Sequence, residues 1–193
     1  MNATSGKSEM RRRLLAARAA LPVDARQRAG SAVADRVLAL SSVAAAGVVA
    51  AYASFGSELP TAALLEALVG RGAVVLLPVS LADGGLGWRA YAGAAALVAG
   101  PRGAPEPAGP DRSLSDADVV LAPGVGFTRD GGRLGRGGGA YDRALAERRP
   151  GVAVIGLGYD ESVVESLPVE PHDVHVDVVV TPTAVWLAGR ERG

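Results

Sequence analysis

Pro123 to Leu145 reads P-G-V-G-F-T-R-D-G-G-R-L-G-R-G-G-G-A-Y-D-R-A-L, and glycine fills six of the nine positions from Gly131 to Gly139. Arg133, Arg136 and Arg143 are spaced along it. Glycine lets a backbone take positive φ and approach a ligand closely, so successive N–H groups can converge on phosphate oxygens. Guanidinium groups add bidentate, charge-assisted hydrogen bonds. The stretch reads as an anion site whose natural guest is a polyphosphate. Its flanks are ordered in pattern: Val119 to Ala122 is a short apolar run of strand type, and Tyr141 to Arg148 has the spacing of a helix. Strand, glycine loop and helix in that order argue against a disordered Arg-Gly tract.

Outward from this unit the same alternation continues. Ala46 to Ala53, Ala73 to Val79, Val152 to Leu157 and Val176 to Val180 are short runs rich in Val, Ala and Leu, bounded by Gly, Pro or Asp. With Val119 to Ala122 they have the character of buried strands in a largely parallel sheet. Ser8 to Ala20 and Val23 to Leu40 read as helices separated by Pro22, the second with Val33, Val37 and Leu40 on one face. Thr61 to Leu68 supplies a crossover helix that closes at Gly70 and Gly72, with Thr61 placed to cap it. Ala99 to Asp111, with four prolines and three glycines, reads as an irregular connector. The expected fold is a three-layer α/β sandwich around a mostly parallel sheet, with 193 residues forming one domain.

Composition narrows the function. Twenty basic and twenty acidic residues cancel, so no global field favours nucleic acid or an anionic membrane, and anion binding has to be local. No cysteine is present, which removes disulfides, thiolate nucleophiles and Cys-based metal sites and suits a reducing cytoplasm. The apolar stretch after Arg13 is broken by Arg18, so neither a signal peptide nor a membrane span is expected. A Walker A loop needs a Lys followed by Ser or Thr, and no lysine follows Lys7. Gly135, Gly137 and Ala140 fit G-x-G-x-x-A, but about a dozen residues separate them from the preceding strand, where a dinucleotide fingerprint begins directly after one. From the residues alone, the chain is a cytoplasmic α/β protein that binds a nucleotide or another phosphorylated ligand.

The glycine stretch resembles the signature P-G-x-x-F-D-x-x-G-x-R-L-G-x-G-x-G-Y-Y-D of the 5-formyltetrahydrofolate cyclo-ligase family. Two positions depart from it: Thr128 stands where that pattern has Asp, and Ala140 replaces the first Tyr of its ending. Three other segments agree. Lys7 and Arg11, one helical turn apart, match an opening K-x-x-x-R. Tyr52 to Thr61 follows the first expected strand, where open parallel sheets gather their ligands, and offers Phe55 for stacking and Glu58 to accept N–H groups of a pterin. Leu167 to Asp177 is similar to the family's L-P-x-E-x-H-D-x-x-x-D.

The resemblance implies the rest. Its fold is related to that of sugar-phosphate isomerases and CoA transferases (NagB/RpiA-like). Its activity converts 5-formyltetrahydrofolate to 5,10-methenyltetrahydrofolate with ATP and Mg²⁺. ATP would be held by Lys7, Arg11 and the run Arg133, Leu134, Gly135, Arg136, Gly137, Gly138, Gly139, Ala140 and Tyr141. The folate would meet Phe55, Glu58, Arg136, Gly138, Gly139 and Tyr141, and Mg²⁺ would meet Asp142 and Asp177. No protein nucleophile is implied, and His172 would orient its loop or a substrate group; His172 and His175 without soft ligands do not make a zinc site. Two alternatives stay open: a sugar-phosphate enzyme on a related scaffold, needing no ATP, and a non-catalytic folate- or nucleotide-binding member, raised by Ala140 and Thr128.

Overall fold

Five apolar runs form the parallel centre of one sheet, and they do so because alternate side chains on each have a different helical layer to pack against. The computed structural model describes residues 3–101, 103–168, 170 and 173–189. In chain order the elements are α1 (Ala3–Ala19), α2 (Val23–Leu38), α3 (Ser41–Ala44), β1 (Val48–Ala50), α4 (Ala62–Gly70), β2 (Val74–Ser80), β3 (Leu86–Ala90), β4 (Leu97–Ala99), β5 (Pro105–Pro107) and β6 (Asp111–Arg112). There follow β7 (Val119–Pro123), β8 (Gly126–Phe127), β9 (Arg133–Leu134), α5 (Ala140–Ala146), β10 (Ala153–Leu157), β11 (Val178–Val180) and β12 (Val185–Leu187). The main sheet has eight strands in the order β12-β11-β10-β7-β1-β2-β3-β6. β11, β10, β7, β1 and β2 are parallel, while β12, β3 and β6 each run antiparallel to their inner neighbour.

The period of two along each strand divides the core. Val49, Val75, Leu77, Val119, Leu121, Ile155 and Leu157 pack with Val33 and Val37 of α2 and Leu64, Leu65 and Leu68 of α4. Ala50, Leu76, Val120, Ala122, Val154 and Val179 face the other way, toward Ala144 and Leu145 of α5, Trp88 and Phe127. The result is the expected three layers. A third, smaller cluster of Leu14, Val125 and Leu134 fixes α1 across the carboxyl ends of the strands, which is what brings the N-terminal helix to the glycine loop.

Four expectations need correction. The run Ala46 to Ala53 yields only Val48–Ala50 as strand, because the Asp118 carboxylate takes the N–H groups of Gly47 and Val48 at the start and the chain turns toward the site soon after Ala51. β11 begins at Val178, not Val176, since the Val176 N–H goes to Gly131 O, outside the sheet. The connector from Ala99 to Asp111 contains ordered pairing: Leu97 to Ala99 face Pro107 to Pro105 in a two-stranded ribbon, where a proline costs little, and β6 extends the main sheet. Thr61 stands at the N-cap of α4 but its side chain does not cap the helix; its hydroxyl donates to Tyr52 O at 2.8 Å.

Candidate active site

The glycine loop is built on a buried aromatic anchor. Phe127 is fully buried, and its ring lies so close to Gly124 and Gly156 that a Cβ on either would stand 2.3 or 2.4 Å from a ring carbon. This explains why the segment begins Pro-Gly and places a phenylalanine three residues later. Thr128 then closes the turn: its Oγ1 accepts the Gly132 N–H at 2.8 Å, while Thr128 N donates to Gly132 O and Gly131 N to Thr128 O. A hydroxyl performs here the local bond that an aspartate carboxylate makes in an Asx turn, so the departure at Thr128 leaves the loop intact. β8 and β9 pair Gly126 with Leu134 and Phe127 with Arg133, after which the chain passes through Gly139, at φ +63°, into α5. That left-handed backbone is natural only to glycine.

The second wall is the loop from Tyr52 to Thr61. Ser54 and Thr61 lock its ends reciprocally: Ser54 N donates to Thr61 Oγ1 at 3.0 Å and Thr61 N to Ser54 Oγ at 3.1 Å. Between them Glu58 folds back, its Oε2 accepting the Phe55 N–H at 3.2 Å. The two walls meet through Arg136, whose Nε and Nη2 lie 3.1 and 3.0 Å from Glu58 Oε1 and whose guanidinium covers the Phe55 ring at 4.6 Å.

Between the walls lies a cavity of about 790 Å³ at the carboxyl ends of the parallel strands. Lys7, Arg11, Phe55, Glu58 and every residue from Arg133 to Asp142 line it, so the structure brings together all the expected site residues but one. Asp177 lies elsewhere. It sits at the amino end of β11, exposed, with its carboxylate accepting the Val154 N–H at 2.7 Å near the start of β10. A parallel sheet has its ligands at the other end of those strands. His172 falls outside the described residues.

The cations of the site are held in place by acids and carbonyls. Arg11 Nε donates to Gly135 O at 2.8 Å, tying α1 to the loop. The Arg133 side chain is almost wholly buried; it donates to Pro123 O at 3.2 Å and pairs with Asp142 Oδ1, which also receives the Val174 N–H. Lys7 is clasped by Glu170 at 2.7 Å and by both oxygens of Asp173 at 3.0 and 2.7 Å. Burial works against that ammonium, but the hydrogen bonds and charges of Asp173 and Glu170 outweigh it and raise its pKa above the usual 10.5. Glu170 and Asp173 lie in the acidic segment that matches the family, yet sequence patterns do not mark them as facing a ligand, and the same holds for Arg18 and Glu106; Tyr52 and Arg143, from the two segments already named, complete the wall.

Aromatic rings and cations are interleaved along the cavity. Tyr141 packs edge-on against Trp88 at 6.4 Å and 89°, with Arg133 6.0 Å from its ring centre. Burial raises the pKa of its phenol well above 10, and the hydroxyl has no partner among the described residues. Ala140 lines the cavity where the family signature has the first tyrosine of its ending, leaving Tyr141, Phe55 and Tyr52 to supply the aromatic wall. No group of three His, Cys, Asp or Glu arranged for a metal occurs among the described residues. Mg²⁺ asks for less when phosphates are present, one or two carboxylates sufficing. Asp142 and Asp173 are the two aspartates that line the cavity.

The chain resembles known proteins in sequence and fold. Residues 3–182 match the model of the 5-formyltetrahydrofolate cyclo-ligase family. The chain belongs to that family. It is 39% identical over 184 residues to the 5-formyltetrahydrofolate cyclo-ligase of Mycolicibacterium smegmatis, covering 91% of this chain and 93% of that one. With the enzyme of the same name from Escherichia coli K12 it shares 37% over 175 residues, 88% of this chain and 96% of the relative. Among solved structures, the 5,10-methenyltetrahydrofolate synthetase of Aquifex aeolicus superposes with a TM-score of 0.84 at 30% identity, over 97% of this chain and 95% of its own. The synthetase from Mycoplasma pneumoniae, at 22% identity and a TM-score of 0.75, shares the fold. In this cyclo-ligase chain the family signature is thus the loop that Phe127 anchors. No helix among the described residues is long and apolar enough to cross a membrane.

Proposed function

We propose that this chain is a cytoplasmic ligase that converts 5-formyltetrahydrofolate to 5,10-methenyltetrahydrofolate, using ATP and Mg²⁺ and releasing ADP and phosphate. The observation that carries the reading is the single cavity in which a glycine loop with Lys7 and Arg11 faces Phe55, Glu58 and Tyr141. Two substrates of opposite character fit its two walls: a polyphosphate against the backbone N–H groups and cations, and a flat heterocycle against the rings and the carboxylate.

In the reaction the formyl oxygen attacks the γ-phosphorus and ADP leaves, which turns a poor leaving group into phosphate. N10 then attacks the activated carbon and closes the five-membered ring, the N10 proton is released, and phosphate departs with the former formyl oxygen. The chemistry needs no protein nucleophile; it needs the two substrates aligned and the moving charge neutralised. Lys7, Arg11 and Arg136 supply cations to the phosphates, the Gly135 to Gly139 backbone cradles them, and the Arg133–Asp142 pair keeps the base of the loop rigid. Glu58 accepts the pterin N–H groups while Phe55 and Tyr141 border its faces. Bound Mg²⁺, held by Asp142 with Asp173 in place of Asp177, would neutralise phosphate charge.

Ultraviolet absorbance during incubation with 5-formyltetrahydrofolate tests the reading. Formation of methenyltetrahydrofolate is expected with MgATP and absent without it. Product in neither condition, from folded protein, would count against the activity.

A further inference from the structure

Glu58 sits on a turn whose polar groups are gripped from outside. Phe55 to Glu58 closes with Glu58 N donating to Phe55 O at 3.2 Å, and Gly56 takes the left-handed φ of +62° that such a turn needs. Arg26 of α2 donates to Gly56 O at 3.2 Å, and Arg18 of α1 donates through Nε to Ser57 Oγ at 3.3 Å. The third grip is Tyr159, just past the end of β10. Its hydroxyl lies 3.1 Å from Glu58 O and 3.4 Å from Ser57 O, so one O–H serves two successive carbonyls, the shorter contact being to Glu58. Burial raises the phenol pKa, and the hydroxyl stays a donor near pH 7.

We propose that Tyr159 is a positioning residue, whose hydroxyl fixes the backbone of Glu58 and with it the aim of the carboxylate at the pterin. The proposal rests on the folate reading above. Tyr159 is 4% exposed and belongs to the core cluster that includes Leu59 and Leu157. It does not line the large cavity; with Arg18 and Glu58 it lines a small adjoining one of about 10 Å³. The hydroxyl therefore stands behind the turn, outside the space that would hold the two substrates, and acts on them only through Glu58.

The other holds on Glu58 give no such fixed reference. The Phe55 N–H that reaches Glu58 Oε2 belongs to the same turn and moves with it. Arg136, on Oε1, has its side chain 47% exposed and a second task on the phosphate side of the cavity. Arg26 and Arg18 act on the two preceding residues, each through a long side chain with many rotamers. A tyrosine has two side-chain torsions, and here its ring is locked in the core, so its hydroxyl is tied to the rigid sheet. Positioning matters at this scale, because a shift of about 1 Å in an aligned group can cost on the order of a hundredfold in rate.

The test is calorimetric binding of 5-formyltetrahydrofolate, and separately of a non-hydrolysable ATP analogue with Mg²⁺, to the full chain as wild type, Tyr159→Phe, Glu58→Ala and the double variant. Tyr159→Phe removes the O–H and keeps the ring in the core. Its affinity for 5-formyltetrahydrofolate should fall about three- to tenfold, the scale of one hydrogen bond, while its affinity for the analogue should not fall. Added to Glu58→Ala, the same change should cost less than about twofold, because no carboxylate remains to be aimed. Should Glu58→Ala bind folate too weakly to measure, the split between the two ligands decides alone. Equal losses for both ligands, or a full three- to tenfold folate loss in the Glu58→Ala background, would show a general loosening of the fold and overturn the proposal. Unchanged folate affinity in Tyr159→Phe would overturn it too. Wild type that binds no 5-formyltetrahydrofolate would sink the folate reading itself, and the proposal with it.

Discussion

Arg136 is paired with groups expected to receive the pterin, and removing it should therefore strengthen one substrate while weakening the other. Its guanidinium pairs with Glu58 at 3.0 Å and covers Phe55 at 4.6 Å, the two groups in question. A half-exposed ion pair contributes about 0.2–1 kcal/mol, and an exposed cation–π contact about 0.5–1 kcal/mol. A pterin that takes Glu58 and Phe55 must break both, at a cost of about 0.7–2 kcal/mol, or a factor of roughly 3–30 in affinity. Arg136→Ala should accordingly bind 5-formyltetrahydrofolate about 3- to 30-fold more tightly when no nucleotide is present, and an ATP analogue less tightly. In wild type the analogue should raise folate affinity by drawing Arg136 away, and by linkage folate should raise analogue affinity equally; the variant should lose this coupling. Isothermal titration of each ligand, alone and with the other saturating, measures all four affinities. Unchanged folate affinity in Arg136→Ala without nucleotide would refute the reasoning, and weaker affinity would refute it and make Arg136 a direct folate ligand.

Phe127→Ala should lower stability by about 3–5 kcal/mol, a drop of roughly 6–20 °C in Tm by calorimetry, because the fully buried ring fills a notch that Gly124 and Gly156 leave for it. A loss under about 1 kcal/mol would mean that the notch collapses around the smaller side chain. Lys7→Met should lower Tm at neutral pH and weaken ATP binding. Since the folded-state pKa of Lys7 is raised above 10.5, its contribution to stability is complete below that value and disappears as pH rises through the folded one. The Tm gap between wild type and Lys7→Met should thus hold steady from neutral pH to about pH 9 and narrow in more alkaline buffer; a gap that stays constant through strongly alkaline buffer would contradict the pairing with Glu170 and Asp173. Asp142→Asn should raise the Mg²⁺ concentration needed for turnover, whereas Asp177→Asn should give a metal curve superimposable on wild type and keep nearly all of its stability, since the amide oxygen can still accept the Val154 N–H. A shifted metal curve for Asp177→Asn would restore it to the metal site.

The sequence by itself determined the layers of this protein and the location of its anion loop. Buried parallel strands announce themselves as continuous apolar runs, and Gly131 to Gly139 states its backbone chemistry directly, because both are properties of neighbouring residues. Edge strands were not legible: Leu86 to Ala90 includes Gly87 and Arg89, Pro105 to Pro107 is two-thirds proline, and pairing at an edge depends on a partner that local pattern does not reveal. The same limit governed the site. Lys7 and Arg11 could be placed on one helical face, but not the 163-residue separation that gives Lys7 its partner Glu170. Asp173 and Asp177 look alike in one acidic segment, and four residues of extended chain span about 13 Å, enough to carry one to the cavity and the other to the amino end of the sheet. Arg18 sits in a helix that reads as ordinary until α1 is seen lying across the strand ends. Spacing along a chain fixes which residues share a face; only packing decides which faces meet, and therefore which charges are buried together.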